Sequence, residues 1–148
     1  MTQRVELDAI DQRLVALLID DGRLSVNELA ARLGVARSTA HARFERLRRA
    51  GVITGFTAIV DHAKLGDDVQ ALVLVNIEQR NWANLRAALI AIAGVESLLF
   101  TSGAFDVVLS VRVASIAALR DVVLNGLHRI PGVRSTQTIF VLDEKRAR

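Results

Sequence analysis

The chain has 148 residues, 51% hydrophobic and 24% charged, which sets one domain or two small ones, supports a core and excludes wholesale disorder. It has no cysteine, so disulfides, Cys-zinc sites, iron–sulfur clusters and thiol nucleophiles are excluded. Net charge is only +3, but six arginines (Arg32, Arg37, Arg43, Arg46, Arg48, Arg49) against Glu45 alone put +5 into residues 32–49 and leave −2 for the other 130. Charge concentrated in this way points to a nucleic-acid or other polyanion surface, or to a solvated helix face.

The first helix is expected over residues 8–20, with Ile10, Leu14, Leu17 and Leu18 on one stripe. Asp8 caps its start, and Asp20, Asp21 and Gly22 end it, Gly22 supplying a left-handed residue. A second helix starts at Ser25, in capping-box spacing with Glu28, buries Val26, Leu29, Ala30 and Leu33, and stops at Gly34. A third runs from about Ala36 to Ala50, with Ala40, Phe44 and Leu47 inward and Gly51 at its end. Two short helices joined by a Gly-containing turn after a longer helix make a helix-turn-helix. At ~100° per residue, the outer side of the third helix carries Ser38, His41, Ala42, Glu45 and Arg49, with Arg43, Arg46 and Arg48 on its flanks. Recognition helices read bases with their N-terminal residues, and flanking cations neutralise phosphates.

Residues 51–61 are β-rich and are expected to pair as a strand or small wing, with 62–68 as the linker. Beyond it the chain reads as strand (69–78), helix (Trp82, Leu85, Leu89, Ile92, ended by Gly94), strand (95–101), tight turn (Ser102, Gly103, Ala104), alternating strand (105–113), helix (Ile116, Leu119, Val123, Leu127, Ile130, broken at Pro131 and Gly132) and strand (133–142). The order β-α-β-β-α-β is the ferredoxin-like plait, so the chain is an α+β protein. The last six residues are polar and expected to fray. Both helices of a plait lie on one sheet face, yet the first strand is apolar on both sides (Leu72, Val73, Leu74, Val75). The open face therefore marks an interface, and a symmetric sheet-on-sheet homodimer is the simplest solution.

Three segments, 7–23, 25–56 and 101–111 (TSGAFDVVLSV), in this order and spacing resemble the Lrp/AsnC (feast/famine) family of transcriptional regulators, over Leu7 to about Arg146. The resemblance implies a helix-turn-helix DNA-binding domain over 1–61 and a ferredoxin-like effector-binding and oligomerisation domain over 69–148. It also implies dimers joined through their sheets, assembly commonly to octamers, and amino-acid effectors bound at dimer–dimer contacts. One departure is Ala36, where the family usually has Ser at the N-cap of the recognition helix. Ala accepts no helix N–H, a loss of ~1 kcal/mol at such sites, so a phosphate contact there is in question.

The candidate DNA-binding residues are Arg37, Ser38, Thr39, His41, Ala42, Arg43, Arg46 and Arg49. Arg forks onto guanine, and Ala or the Thr methyl touches a thymine methyl. Arg43 has two readings, a phosphate contact or an ion pair, either in the neighbourhood of Glu45 or with helix one. The resemblance places the effector pocket around the turn Thr101, Gly103, Phe105 and Asp106. A carboxylate at Asp106 holds an ammonium while turn N–H groups hold a carboxylate; the alternative is that Asp106 braces the turn. Thr136 and Thr138 are further candidates, or simply strand formers. His41, His62 and His128 have no partner at metal-ligand spacing, and no catalytic set or cofactor motif is present, so neither a metal, a cofactor nor catalysis is expected.

The leading reading is therefore a regulator in the cytoplasm, with no membrane segment, whose partners are double-stranded DNA, a small amino acid and further copies of itself. The alternatives are a ligand-independent, DNA-organising architectural protein and, more remotely, an enzyme built on the plait.

Overall fold

In the computed structural model, which describes residues 4–78 and 82–145, the chain opens on a helix with a complete capping box. In α1 (Ala9–Asp20) the Asp8 carboxylate accepts from Asp11 N and the Asp11 carboxylate accepts from Asp8 N. Ser25 and Glu28 do the same for α2 (Val26–Leu33), which closes on Gly34 in the left-handed region. α3 (Arg37–Arg49) follows three residues after α2, with Ala36 at its N-cap and no side-chain cap. Leu14, Leu18, Leu24, Leu29, Leu33 and Leu47 form one buried cluster among the three helices. Each fully buried Leu contributes about 2 kcal/mol.

Gly22 departs from its expected role. α1 ends on extended Asp21, and Gly22 is not among the left-handed glycines. A Cβ on it would lie 3.1 Å from the Phe56 ring, so glycine serves close approach here instead of helix termination. The strand or wing expected over 51–61 does not form. After Gly51 the N–H groups of Val52 and Ile53 both bond to Leu47 O, and Phe56 stacks on Phe44 with ring centroids 6.4 Å apart. Residues 54–61 that follow belong to no helix or strand.

The chain divides into two compact units between Ile59 and Val60. The segment 62–68, expected as linker, carries a helical turn, α4 (His62–Leu65), ended by left-handed Gly66. The second unit continues with β1 (Val69–Ile77), α5 (Trp82–Ile90), β2 (Val95–Phe100), β3 (Val107–Val113), α6 (Ile116–Asp121) and β4 (Val133–Phe140). The sheet order is β2-β3-β1-β4, every pair antiparallel, which is the plait. The helix expected to run on to Ile130 widens instead: α6 passes into a π-helical stretch, Val122–Gly126, and a 3-10 turn, Leu127–Arg129. Gly126 lies under Ile92 there, its missing Cβ 3.2 Å from Ile92 Cγ2. The side chain of Trp82 and residues 146–148 of the polar tail lie outside the described residues.

The pleat separates two faces. Ala71, Val73, Val75 and Ile77 of β1 and Val107, Leu109, Val111 and Val113 of β3 are buried against Leu85, Leu89, Leu119, Val122 and Leu127. On the opposite face the register sets Leu72 beside Ser110 and Ile139, and Leu74 beside Val108, which pairs in turn with Leu99. Leu99 and Ile139 are exposed. No described helix is long and apolar enough to cross a membrane.

Candidate functional site

Two places carry the chemistry, one in each unit. In the first, Arg37, Ser38, Thr39, His41 and Ala42 are all exposed on the N-terminal half of α3, while Ala40 and Leu47 are fully buried on its other side. Arg37 makes no ion pair among the described residues, nor does His41. Towards the C-terminus, Arg49 Nε donates to Glu45 O, and Arg48 spans the Phe44 ring and the Glu45 carboxylate. Arg48 and Arg49 remain exposed to solvent.

Arg43 and Arg46 are engaged differently. Arg43 Nη1 lies 2.6 Å from Asp8 Oδ2 and 2.9 Å from Asp11 Oδ1, and Arg46 Nη2 pairs with Asp11 Oδ2. Of the two readings open for Arg43, the structure shows the pair with helix one. Asp11 is the buried charged residue at the centre of this network, with no side-chain exposure. Burial pushes its carboxyl up, but hydrogen bonds from Arg46, Arg43 and Asp8 N outweigh that and lower it from 3.8 to about 2. Asp8 is lowered too, by the Asp11 backbone N–H and by Arg43. An open cleft of about 600 Å³ is bounded by Asp8, Ser38, Thr39, Ala42, Arg43 and Arg46. Sequence reading missed Asp11, although a signal was present: it sits at i, i+3, i+7 with Leu14 and Leu18, a carboxylate on an apolar stripe.

In the second unit the turn between β2 and β3 is held by its own backbone. Thr101 N donates to Asp106 O and Thr101 Oγ1 donates to Phe105 O, at 2.9 and 2.6 Å. Asp106 N donates to Val75 O, and Asp106 Oδ2 accepts from Ile77 N at 2.9 Å. The carboxylate thus takes the N–H that a further strand residue would have taken, and β3 starts at Val107 instead of 105. Half of the bracing reading for Asp106 is therefore visible, with one of its oxygens committed. Gly103 is exposed, at φ +153°, and a Cβ there would meet nothing within 4 Å, so no crowding attends that position. Thr136 sits beside Val75 and Thr138 beside Val73, alternating with the open-face residues Ser135, Gln137 and Ile139. They lie on the helix-covered face, where Thr136 Oγ1 is 2.9 Å from His128 Nε2. Thr136 shares the sheet end with Asp106, and Thr138 is two residues further along. A cleft of about 430 Å³ opens at that end, lined by Glu78, Asn84, Leu85, Ala88, Ile130, Pro131 and Gly132; sequence reading named Leu85, Ile130, Pro131 and Gly132 only as helix and turn residues and none of the seven as a site residue. Among the described residues no cluster of His, Asp and Glu has the makings of a metal site.

Two family profiles match the chain. A family profile for a winged helix-turn-helix DNA-binding domain matches residues 7–54, and one for an Lrp/AsnC ligand binding domain matches residues 70–148. The HTH-type transcriptional regulator FL11 of Pyrococcus abyssi is 34% identical over 94% of this chain and 91% of its own. The leucine-responsive regulatory protein of Rhizobium meliloti is 33% identical over 96% and 93%. A transcriptional regulator of Neisseria meningitidis, solved as a complex with L-Met, superposes with a TM-score of 0.86 at 26% identity over 95% and 93%.

The Asp11 network has a pH signature. Its folded value, about 2, lies below the unfolded 3.8, so its contribution is fully present above about pH 4 and is lost as pH falls through 2. Asp11→Asn is expected to cost about 2–3 kcal/mol at pH 7 and to flatten the acid limb between pH 4 and 2. Urea unfolding across that range is the measurement, and an acid limb as steep in the variant as in the parent would remove Asp11 as its source.

Proposed function

Because this chain belongs to the Lrp/AsnC family of transcriptional regulators, we propose that its sequence-specific binding of DNA, or its assembly on DNA, responds to a small amino acid. The family's members are regulators and not enzymes, and the match of residues 7–54 to a helix-turn-helix DNA-binding profile makes DNA the partner of the first unit. The observation that carries the reading is the exposed run Arg37, Ser38, Thr39, His41 and Ala42 on α3, backed by a buried Ala40 and Leu47 and followed by a cationic half-helix. In this reading Arg37 forks onto guanine, Thr39 and Ala42 meet thymine methyls, and Arg49 neutralises a phosphate. Ala36 offers no side-chain acceptor, which leaves the first N–H groups of α3 for a phosphate oxygen. A regulator of transcription works where the chromosome is, which makes the cytoplasm its place.

The second unit supplies sensing and assembly. The turn around Asp106 brings a carboxylate with one oxygen uncommitted to Ile77 N next to backbone donors, the pairing that a zwitterion needs. The Neisseria relative was solved with L-Met, so amino acids are the ligand class to screen. The open sheet face, with Leu72, Leu74, Leu99, Val108 and Ile139, is the surface proposed to join two copies, which sets two α3 helices on two half-sites. Octamers built from such dimers complete the reading.

Three outcomes are expected. Arg37→Ala shifts sequence preference in a selection from random duplexes, whereas Arg49→Ala weakens all duplexes alike and lowers the salt slope by roughly 0.9. Identical weakening across unrelated duplexes for both variants would favour the architectural alternative. In a thermal-shift screen of the amino acids at least one stabilises the protein. Asp106→Asn, which keeps an acceptor for Ile77 N, then weakens that ligand roughly ten- to hundredfold by calorimetry; equal affinities would leave Asp106 as a brace alone. Leu74→Arg converts the assembly to monomer in sedimentation, and an unchanged sedimentation coefficient would move the interface elsewhere.

A further inference from the structure

We infer that Asp11 is a positioning residue for DNA recognition: its buried carboxylate holds the Arg43 and Arg46 guanidiniums of α3 in place beside the base-reading residues. The inference rests on α3 being the reading helix. Asp11 belongs to α1 and has no exposure, so it touches no DNA itself. Its two oxygens are divided, Oδ1 taking Arg43 Nη1 at 2.9 Å and Oδ2 taking Arg46 Nη2 together with Asp8 N. Asp8 closes the network from outside, its Oδ1 accepting from Asp11 N at 2.8 Å and its Oδ2 from Arg43 Nη1 at 2.6 Å.

The two arginines border the same open cleft as Ser38, Thr39 and Ala42. A guanidinium carries five N–H donors, and these contacts occupy one nitrogen of each arginine. The others stay available to a phosphate at the cleft. Arginine loses much rotamer freedom when it binds. Arginines already ordered by the capping box of α1 lose less of it on DNA, and they seat the backbone in one register relative to Ser38, Thr39 and Ala42. The capping box, which any helix start can use, has here been joined to the partner helix.

A positioning role predicts a result that neither a folding role nor simple charge opposition produces. The full-length chain is titrated with a duplex that it has itself enriched from a random pool, and with a scrambled duplex of the same composition, over a series of salt concentrations. Asp11→Asn is expected to weaken the enriched duplex by roughly tenfold or more. The scrambled duplex is held as tightly as before or more tightly, with a steeper salt slope, because two guanidiniums are released. Asp8→Asn keeps the helix cap, Asn being as good an N-cap as Asp, and loosens Arg43 only, so a smaller loss of discrimination, about threefold, is expected. Equal weakening on both duplexes would reduce Asp11 to a folding residue, and equal tightening would reduce it to an opposing charge; either overturns the inference. Should Asp11→Asn not fold, unchanged discrimination in Asp8→Asn overturns it. Arg37→Ala, run alongside, separates the two claims: no change of preference there removes α3 as the reader, whereas a shift there with none in Asp8→Asn and Asp11→Asn removes the clamp alone.

Discussion

A four-stranded sheet has two faces, and α5 and α6 pack on one of them. In the second unit α5 and α6 cover the side bearing Ala71, Val73, Val75, Val107, Leu109 and Val111, all fully buried. The strand period of two then obliges the intervening residues to face away, and at Leu72, Leu74, Val108, Leu99 and Ile139 those are apolar. The same face carries a polar end, where Arg112, only 11% exposed, is held by Glu96 and Glu144. An apolar centre with ion pairs at one end is the composition of an interface core and rim.

The first unit meets a different constraint with opposite chemistry. Three short helices bury few side chains, and α3 must keep a cationic face in water. Its inward stripe is only Ala40, Leu47 and the partly exposed Phe44. Apolar contact on that scale is supplemented by an ionic one: the buried Asp11 is satisfied by two arginines and a backbone N–H. A carboxylate without them would be costly at that depth. The pairing makes the first turn of α1 and the middle of α3 depend on each other. It also divides the six arginines of the cationic block by role, two tethered to α1 and the rest turned to solvent or to neighbours on their own surface.

The starts of α1 and α2 were legible because a cap acts on backbone within its own first turn. Asp8 was read as a cap and Ser25 with Glu28 as a box; the structure forms both, and completes the first with Asp11, which sequence reading passed over. The alternation in β3 was legible for the same reason, every second residue being buried. Less legible were features whose partner is distant. Gly22 reads locally as a helix stop, yet it faces Phe56, 34 positions on. Residues 51–61 have strand composition, yet they form no strand, because a strand needs a partner that composition does not supply. Asp106 reads either as a free carboxylate or as a brace of its turn, and the N–H that takes one oxygen, that of Ile77, lies 29 positions away.

Periodicity, caps and the clustering of arginines were thus enough to determine the three helices of the helix-turn-helix, the plait and the helix that faces solvent, because each of these follows from neighbours within one or two turns of chain. The resemblance carried by the segments at 7–23, 25–56 and 101–111 added the family. Only the tertiary structure decided which charges are free. Arg43 and Arg37 are the same residue type six positions apart on one helix, and nothing local distinguishes them. One lies across from Asp8 and Asp11 and the other does not. An ion pair depends on the distance between two groups in space, and that distance is set by how α1 packs on α3 and not by their spacing along the chain.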